Sequence, residues 1–176
     1  SLLYAGRITY MPKGVMPSNQ GSPNRLKEDK MLFGLSTSLN VESESESTND
    51  FRAGAEFAML KNRLYLGAEI YYITKRQKID ESYNYLGGYV QGGYFVTNKL
   101  QATARYDFFN RNGLDTNGFL NMPAVGFNYF FTSCNLKLQA MYQFIGRTGH
   151  DTQLDRDNDD LGLAMHSGTV LLQYTF

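Results

Sequence analysis

The sequence predicts an all-β chain, an antiparallel β-barrel of the membrane-spanning kind, with about nine strands present. Three observations carry this. Apolar and polar residues alternate with period two over most of the chain, which gives each strand one apolar and one polar face. The connections between the alternating runs are short and long by turns. The composition suits strands and turns, with Tyr 13, Phe 12 and Gly 17 and no Trp, and no apolar run approaches the roughly 18 residues of a spanning helix.

The strands follow in order. Residues 2–10 set Leu2, Tyr4, Ile8 and Tyr10 against Leu3, Ala5, Arg7 and Thr9. Residues 31–41 set Met31, Phe33, Leu35, Leu39 and Val41 against Gly34, Ser36, Ser38 and Asn40. In 51–60, Phe51, Ala53, Ala55, Phe57 and Met59 oppose Arg52, Gly54 and Glu56. In 64–73, Leu64, Leu66, Ala68, Ile70 and Tyr72 oppose Gly67 and Glu69. Residues 85–96 alternate Leu86, Val90, Tyr94 and Val96 with Tyr85, Tyr89 and Gln91. Residues 100–109 alternate Leu100, Ala102, Ala104, Tyr106 and Phe108 with Gln101, Thr103, Arg105 and Asp107. Residues 124–131 and 136–144 continue with Val125, Phe127, Tyr129 and Phe131, then Leu136, Leu138, Ala140, Tyr142 and Phe144. The last strand carries Val170, Leu172, Tyr174 and Phe176 on its apolar face, and only Leu171 breaks its polar one.

Lys61-Asn62-Arg63, Thr97-Asn98-Lys99 and Thr132-Ser133-Cys134-Asn135 read as tight turns, whereas 42–50, 74–84, 110–118 and 145–166 are longer and polar. Short turns on one side and long loops on the other characterise transmembrane barrels, with the short turns periplasmic. Counting back from a periplasmic C-terminus puts all three short turns on that side. The connection 11–30 departs from the rule, being long on the short-turn side. Its Pro, Asn, Ser and Gly content makes it a loop.

Composition narrows the function. Net charge is zero, so no global field favours nucleic acid or an anionic surface as partner. Mean hydropathy of −0.40 argues against a helical membrane protein. It does not argue against a barrel, whose strands need only about 9–11 residues, half of them apolar. The single Cys134 precludes an intrachain disulfide framework. The chain starts in mid-pattern at Ser1, without Met or a visible secretory signal, so the expectation is that the N-terminal part of a longer barrel precedes it.

A family resemblance rests on several segments. Gly6-Arg7-Ile8-Thr9-Tyr10-Met11-Pro12 followed by Met31-Leu32-Phe33-Gly34 resembles the phosphate-selective porin O/P family. So do residues 88–100, from Gly88-Tyr89-Val90-Gln91 to Asn98-Lys99-Leu100, running into Ala104-Arg105-Tyr106-Asp107. Val125-Gly126-Phe127-Asn128-Tyr129-Phe130 and Leu136-Lys137-Leu138-Gln139 resemble its penultimate hairpin. The resemblance implies a barrel of about 16–18 strands in the outer membrane of a Gram-negative bacterium, assembled as a homotrimer among outer-membrane lipids and lipopolysaccharide. Residues 1–176 would then be the C-terminal portion of one barrel domain, since nine is an odd count for a closed bacterial barrel. The ending also resembles the closing strand of outer-membrane barrels, which makes Tyr174 and Phe176 a candidate signal for the barrel-assembly machinery.

With the apolar faces toward lipid, the opposite faces line a channel, and Arg7, Arg52, Glu56, Glu69, Arg105, Asp107 and Lys137 fall on them. Any one of them serves equally well as a solvated wall residue; as a set they describe a constriction whose field selects polar solutes and ions. Arg105 and Asp107, two apart on one face, are close enough to pair. Phosphate selectivity needs surplus Arg and Lys, and this set is nearly balanced. Glu42, Glu44 and Glu46 extend an inward face into an acidic column at the pore mouth, unless the Ser-Glu repeat is simply a solvated loop. Phosphate specificity is therefore not carried over from the resemblance.

Other motifs fail on inspection. Asp155-Arg156-Asp157-Asn158-Asp159-Asp160 has calcium-like spacing, but an EF-hand loop needs Gly where Asp160 stands and Glu where His166 stands. The Gly87-Gly88 and Gly92-Gly93 pairs lie inside an alternating strand, not before a helix, so they do not form a nucleotide-binding loop. His150 lies near Asp151 and Asp155 but lacks a nucleophile signature. No catalytic, metal or cofactor site is expected.

The outward aromatics Tyr10, Tyr94, Phe131 and Phe176 cluster near one set of strand ends, and Tyr72, Phe108 and Phe144 near the other. Such girdles bracket a membrane core, whereas a lipocalin-like soluble barrel would turn its apolar face inward. The expected function is a porin passing small polar solutes or ions, with no chemistry performed. The alternatives are a barrel acting as membrane anchor or binding platform and, third, an outer-membrane hydrolase using the His150 loop.

Overall fold

The computed structural model describes residues 2–16, 27–41, 49–76, 82–110, 119–132, 136–148 and 164–174. They form nine strands: β1 (Leu2–Tyr10), β2 (Asp29–Val41), β3 (Asn49–Lys61), β4 (Leu64–Arg76), β5 (Ser82–Phe95), β6 (Leu100–Asn110), β7 (Phe119–Thr132), β8 (Leu136–Thr148) and β9 (Met165–Tyr174). All nine lie in one antiparallel sheet in sequence order, with β1 and β9 as its edges. The expected all-β meander is thus present strand for strand, as an open sheet.

Several strands outrun their expected ends on the long-loop side. β4 continues to Arg76, β7 starts at Phe119, and β8 continues to Thr148. Alternation fades there, in β4 because Thr74, Lys75 and Arg76 make both faces polar and in β7 because Phe119, Leu120 and Met122 put apolar residues on both. Backbone pairing does not depend on side chains and continues. β7 also passes through Pro123, which would ordinarily mark a strand boundary. Pairing to β6 holds there, Tyr106 opposite Pro123, while the ladder to β8 lapses between Asn121 and Ala124. The missing N–H therefore falls where the ladder is already broken.

At the turn end the hairpins are knitted together. Asn62 adopts a left-handed φ of 54° in the two-residue turn between Lys61 and Leu64, a conformation Asn tolerates. Arg63 then donates from Nη1 to Phe95 O (3.1 Å) and from Nη2 to Asn98 Oδ1 (3.0 Å), clamping the neighbouring turn. In that turn Thr97 Oγ1 accepts from Lys99 N (3.2 Å) and Leu100 N (3.0 Å).

Register assigns every side chain to a face. Leu35, Ala55, Ile70 and Gly88 follow one another across β2 to β5 on the apolar face, and on the polar face Ser36, Gly54, Tyr71 and Gly87 do the same. The apolar face leaves large side chains uncovered, including Ile8, Leu35, Val90, Val125, Val170 and Leu172. A patch of this extent marks an interaction surface rather than a solvated one.

The sheet's buried apolar cluster lies on the polar face, at the turn end. Leu32, Ala58 and Leu60 form a seat for Met16, with Met11 and Tyr65 packed against it. The first residues of the long 11–30 connection therefore fold back over the sheet. Lys13 Nζ pairs with Asp29 (2.8 Å to Oδ1), and Lys30 Nζ donates to Lys13 O (3.0 Å), tying the two ends of the connection together.

Candidate functional site

The polar face carries all seven side chains expected to line a channel, and most are engaged in pairs. Arg7 on β1 reaches Glu56 on β3, its Nε donating to Oε1 at 2.8 Å. The strand between them is crossed at Gly34, directly opposite Glu56. A Cβ on Gly34 would clash with Glu56 Oε1, so the missing side chain is what lets the carboxylate lean across β2. Arg52 donates from Nε and Nη2 to Asp50 (3.0 and 3.2 Å), two residues along its own strand face.

A second group spans β4 to β6. Arg105 forks onto Asp107, with Nε 2.7 Å from Oδ2 and Nη2 2.6 Å from Oδ1, so the pairing expected from their spacing is formed. Arg105 Nη1 donates to Gln91 Oε1 (2.9 Å), and Gln91 Nε2 donates to the Tyr65 hydroxyl (2.9 Å). The guanidinium also sits 3.9 Å above the Tyr89 ring, and the Tyr89 hydroxyl donates to Glu69 Oε1 (2.7 Å). Glu69 is thus held by a phenol, not by a cation. Lys137 on β8 stands apart from both groups, its Nζ 5.9 Å from the centroid of Phe130.

A third, uncharged group runs across β6, β7 and β8. Asn128 Nδ2 donates to Gln101 Oε1 and Gln139 Nε2 to Asn128 Oδ1, both at 2.8 Å. Gln101 is 2% exposed and lies over Gly93, where a Cβ would be 2.6 Å from its Nε2.

The pairing partners Asp50, Tyr65, Tyr89, Gln91 and Asn128 were not singled out from sequence as site residues. Their signal is their period-two position on a polar face, which many ordinary wall residues share. Sequence alone places Asp50 in the 42–50 loop, because the strand ahead of Phe51 has no apolar partner to announce it. Glu42, Glu44, Glu46, Phe176 and the Asp155–Asp160 motif lie outside the described residues. Tyr174 closes β9 opposite Leu136.

On the apolar face three tyrosines behave alike. Tyr72 donates to Asn84 Oδ1 (3.0 Å), Tyr106 to Asn121, and the Tyr142 hydroxyl bonds His166 Nδ1. Each partner lies on the neighbouring strand, one side-chain step nearer the long-loop end: Asn84 opposite Thr74, Asn121 opposite Phe108, and His166 opposite Phe144. A ring in the apolar band with its hydroxyl aimed at polar groups beyond it is the arrangement aromatic side chains adopt at a membrane interface.

A meander with one apolar face, one charge-paired face, short turns at one end and long loops at the other defines the wall of a transmembrane β-barrel. The family model for phosphate-selective porin O and P matches residues 1–176, the entire sequence. The chain belongs to that family, one of porin-type outer-membrane channels. No curated protein and no solved structure gives a significant match.

Proposed function

We propose that these nine strands form one arc of an outer-membrane porin that passes small polar solutes and ions by diffusion, without making or breaking bonds. In this reading the apolar face meets lipid and the polar face meets water in the lumen. The observation that carries it is the back-to-back placement, on the same strands, of an apolar face with exposed Ile, Leu and Val and a face whose charges occur in local pairs. Charge facing hydrocarbon costs about 2–4 kcal/mol near the midplane, whereas in a wet lumen it costs little.

Local pairing also bears on selectivity. Arg7, Arg52 and Arg105 each have a carboxylate partner, so the described wall lacks the block of unmatched guanidinium groups that a phosphate selector requires. We therefore read the pore as selecting weakly by charge. If Glu42, Glu44 and Glu46 line the mouth, they bias it toward cations.

Planar-bilayer recordings of the full-length protein test this. The expected result is ohmic conductance, with a reversal potential in a salt gradient showing a mild cation preference that shrinks when Glu42, Glu44 and Glu46 are changed to Gln. Absence of conductance would defeat the porin reading and favour a barrel that serves as anchor or binding platform.

A further inference from the structure

Between Arg7 and Arg52 the polar face holds a recess of about 560 Å3, whose other walls include Ser36, Ser38, Gly54 and Tyr71. Its floor is low because Ser36 and Gly54 face each other across β2 and β3, with Tyr71 next in the same row on β4. A volume of this size suits a small molecule.

The chemistry of the recess is neutral but rich in donors and acceptors. Arg7 uses Nε and Nη2 on Glu56, and Arg52 uses the same two nitrogens on Asp50. A guanidinium has five N–H donors, so Nη1 of each keeps donors for a solute. The paired carboxylates and the two serine hydroxyls supply acceptors beside them. Phosphate brought to those remaining donors would lie beside the carboxylates of Glu56 and Asp50, like charge near like charge. A solute bearing adjacent hydroxyls meets no such repulsion, because each hydroxyl is neutral and both donates and accepts.

The far side of the recess is aromatic. Tyr71 is 43% exposed, and its ring and that of Phe109 flank Gly87, where a Cβ would lie 3.2 Å from Tyr71 Cε2 and 3.3 Å from Phe109 Cδ2. Phe109 in turn lies nearly parallel to Tyr85, at 13° with centroids 6.1 Å apart. Ring surface therefore starts at Tyr71, where the hydrogen-bonding groups of the recess end. Few small solutes want both surfaces. A sugar does, with hydroxyls around its edge and C–H groups on its faces.

We propose that this recess is a sugar-binding subsite of the pore wall, with Tyr71 as the stacking surface and Arg7, Arg52, Ser36 and Ser38 as hydrogen-bonding partners. The proposal rests on the porin reading and adds a solute class to it.

The test is current interruption in planar bilayers holding the full-length protein. Maltotriose should block the open channel reversibly and in proportion to its concentration, and inorganic phosphate at equal concentration should not. Tyr71→Ala should weaken the block about fivefold, and Tyr71→Phe, which keeps the ring, should preserve it. Arg52→Lys should weaken it as well, because a lysine lacks the fork that serves carboxylate and solute together. β-Sheet circular dichroism and the formation of open channels by these variants, whatever their conductance, show that the barrel is intact. A conducting pore that maltotriose never blocks overturns the sugar subsite and leaves the porin reading standing. Block by phosphate alone, or by maltotriose equally in wild type, Tyr71→Ala and Arg52→Lys, also overturns it. Absence of conductance overturns both.

Discussion

Glu56 and Glu69 stand directly opposite each other on β3 and β4, and their carboxylates are drawn to opposite sides. Glu56 leans over Gly34 to Arg7, while Glu69 accepts from Tyr89 on β5. Like charges directly opposed on a sheet repel, and here each is pulled away by a partner of its own. Arg7→Ala should return Glu56 to face Glu69, whereas Glu56→Gln removes the repulsion together with the pair. The expected order is that Arg7→Ala destabilises by up to about 1 kcal/mol and Glu56→Gln by less, because Arg7 is largely exposed and screened. Adding Glu56→Gln to Arg7→Ala should recover stability, as read by urea unfolding in lipid vesicles. A double variant less stable than Arg7→Ala would contradict the account.

Arg105 joins three groups of the wall, Asp107, Gln91 and the ring of Tyr89. Arg105→Ala removes the partner of Asp107 and the cation over Tyr89, leaving Asp107 and Glu69 as uncompensated negative charge. Cation preference should rise in Arg105→Ala and fall in Asp107→Asn, opposite movements of the reversal potential from one ion pair. Arg105→Lys should keep the wild-type ion preference yet be less stable, by about 1 kcal/mol, because a lysine cannot hold Asp107 and Gln91 together through a planar fork. If Arg105→Ala and Asp107→Asn shifted the reversal potential in the same direction, these groups would not face the conducting path.

The fold was legible because a membrane barrel writes its architecture into period two. Leu100 to Phe108 and Leu136 to Phe144 announce strand, face and length at once, and the tight turn at Asn62 and Arg63 separates neighbours cleanly. What alternation does not encode is lateral reach. Nothing local to Glu56 says that it will cross a strand, since this depends on Gly34 arriving opposite it through register. The same holds for the Gln101, Asn128 and Gln139 chain, whose members are 27 and 11 residues apart. The residues on the polar face were readable, but apart from the Arg105–Asp107 pair their partners were not. The long connection after Tyr10 was legible as a loop, while its return to the sheet was hidden because Met11 and Met16 carry no periodic signal.

That return should be sensitive to its seat. Leu60 is 3% exposed and packs with Leu32 and Ala58 beneath Met16. Leu60→Ala should cost about 2 kcal/mol, at the low end for a buried leucine because the cluster is small and one-sided. It should also release Met16. In a Cys134→Ser background, Met16→Cys should react slowly with a polar thiol reagent and at least about tenfold faster once Leu60→Ala is added. Equal rates would mean that Met16 is not held there.

The assignment of faces has its sharpest test in two neighbours on β9. Val170 is 74% exposed and lies on the apolar face, opposite Ala140, while Leu171 is 50% exposed and lies on the polar face, opposite Gln139. Hydropathy does not separate them, and in a soluble sheet lysine would be tolerated at either. In a bilayer the two positions differ, because one meets hydrocarbon and the other water. Val170→Lys should cost about 2–4 kcal/mol in folding from urea into lipid vesicles, and Leu171→Lys close to nothing. The same pair measured in detergent micelles, where the apolar layer is thin and deformable, should differ by less. Equal costs in vesicles would remove the lipid-facing assignment. A larger cost at Leu171 would reverse it, placing the arginine and carboxylate pairs against the membrane, where they could not remain charged at so little expense.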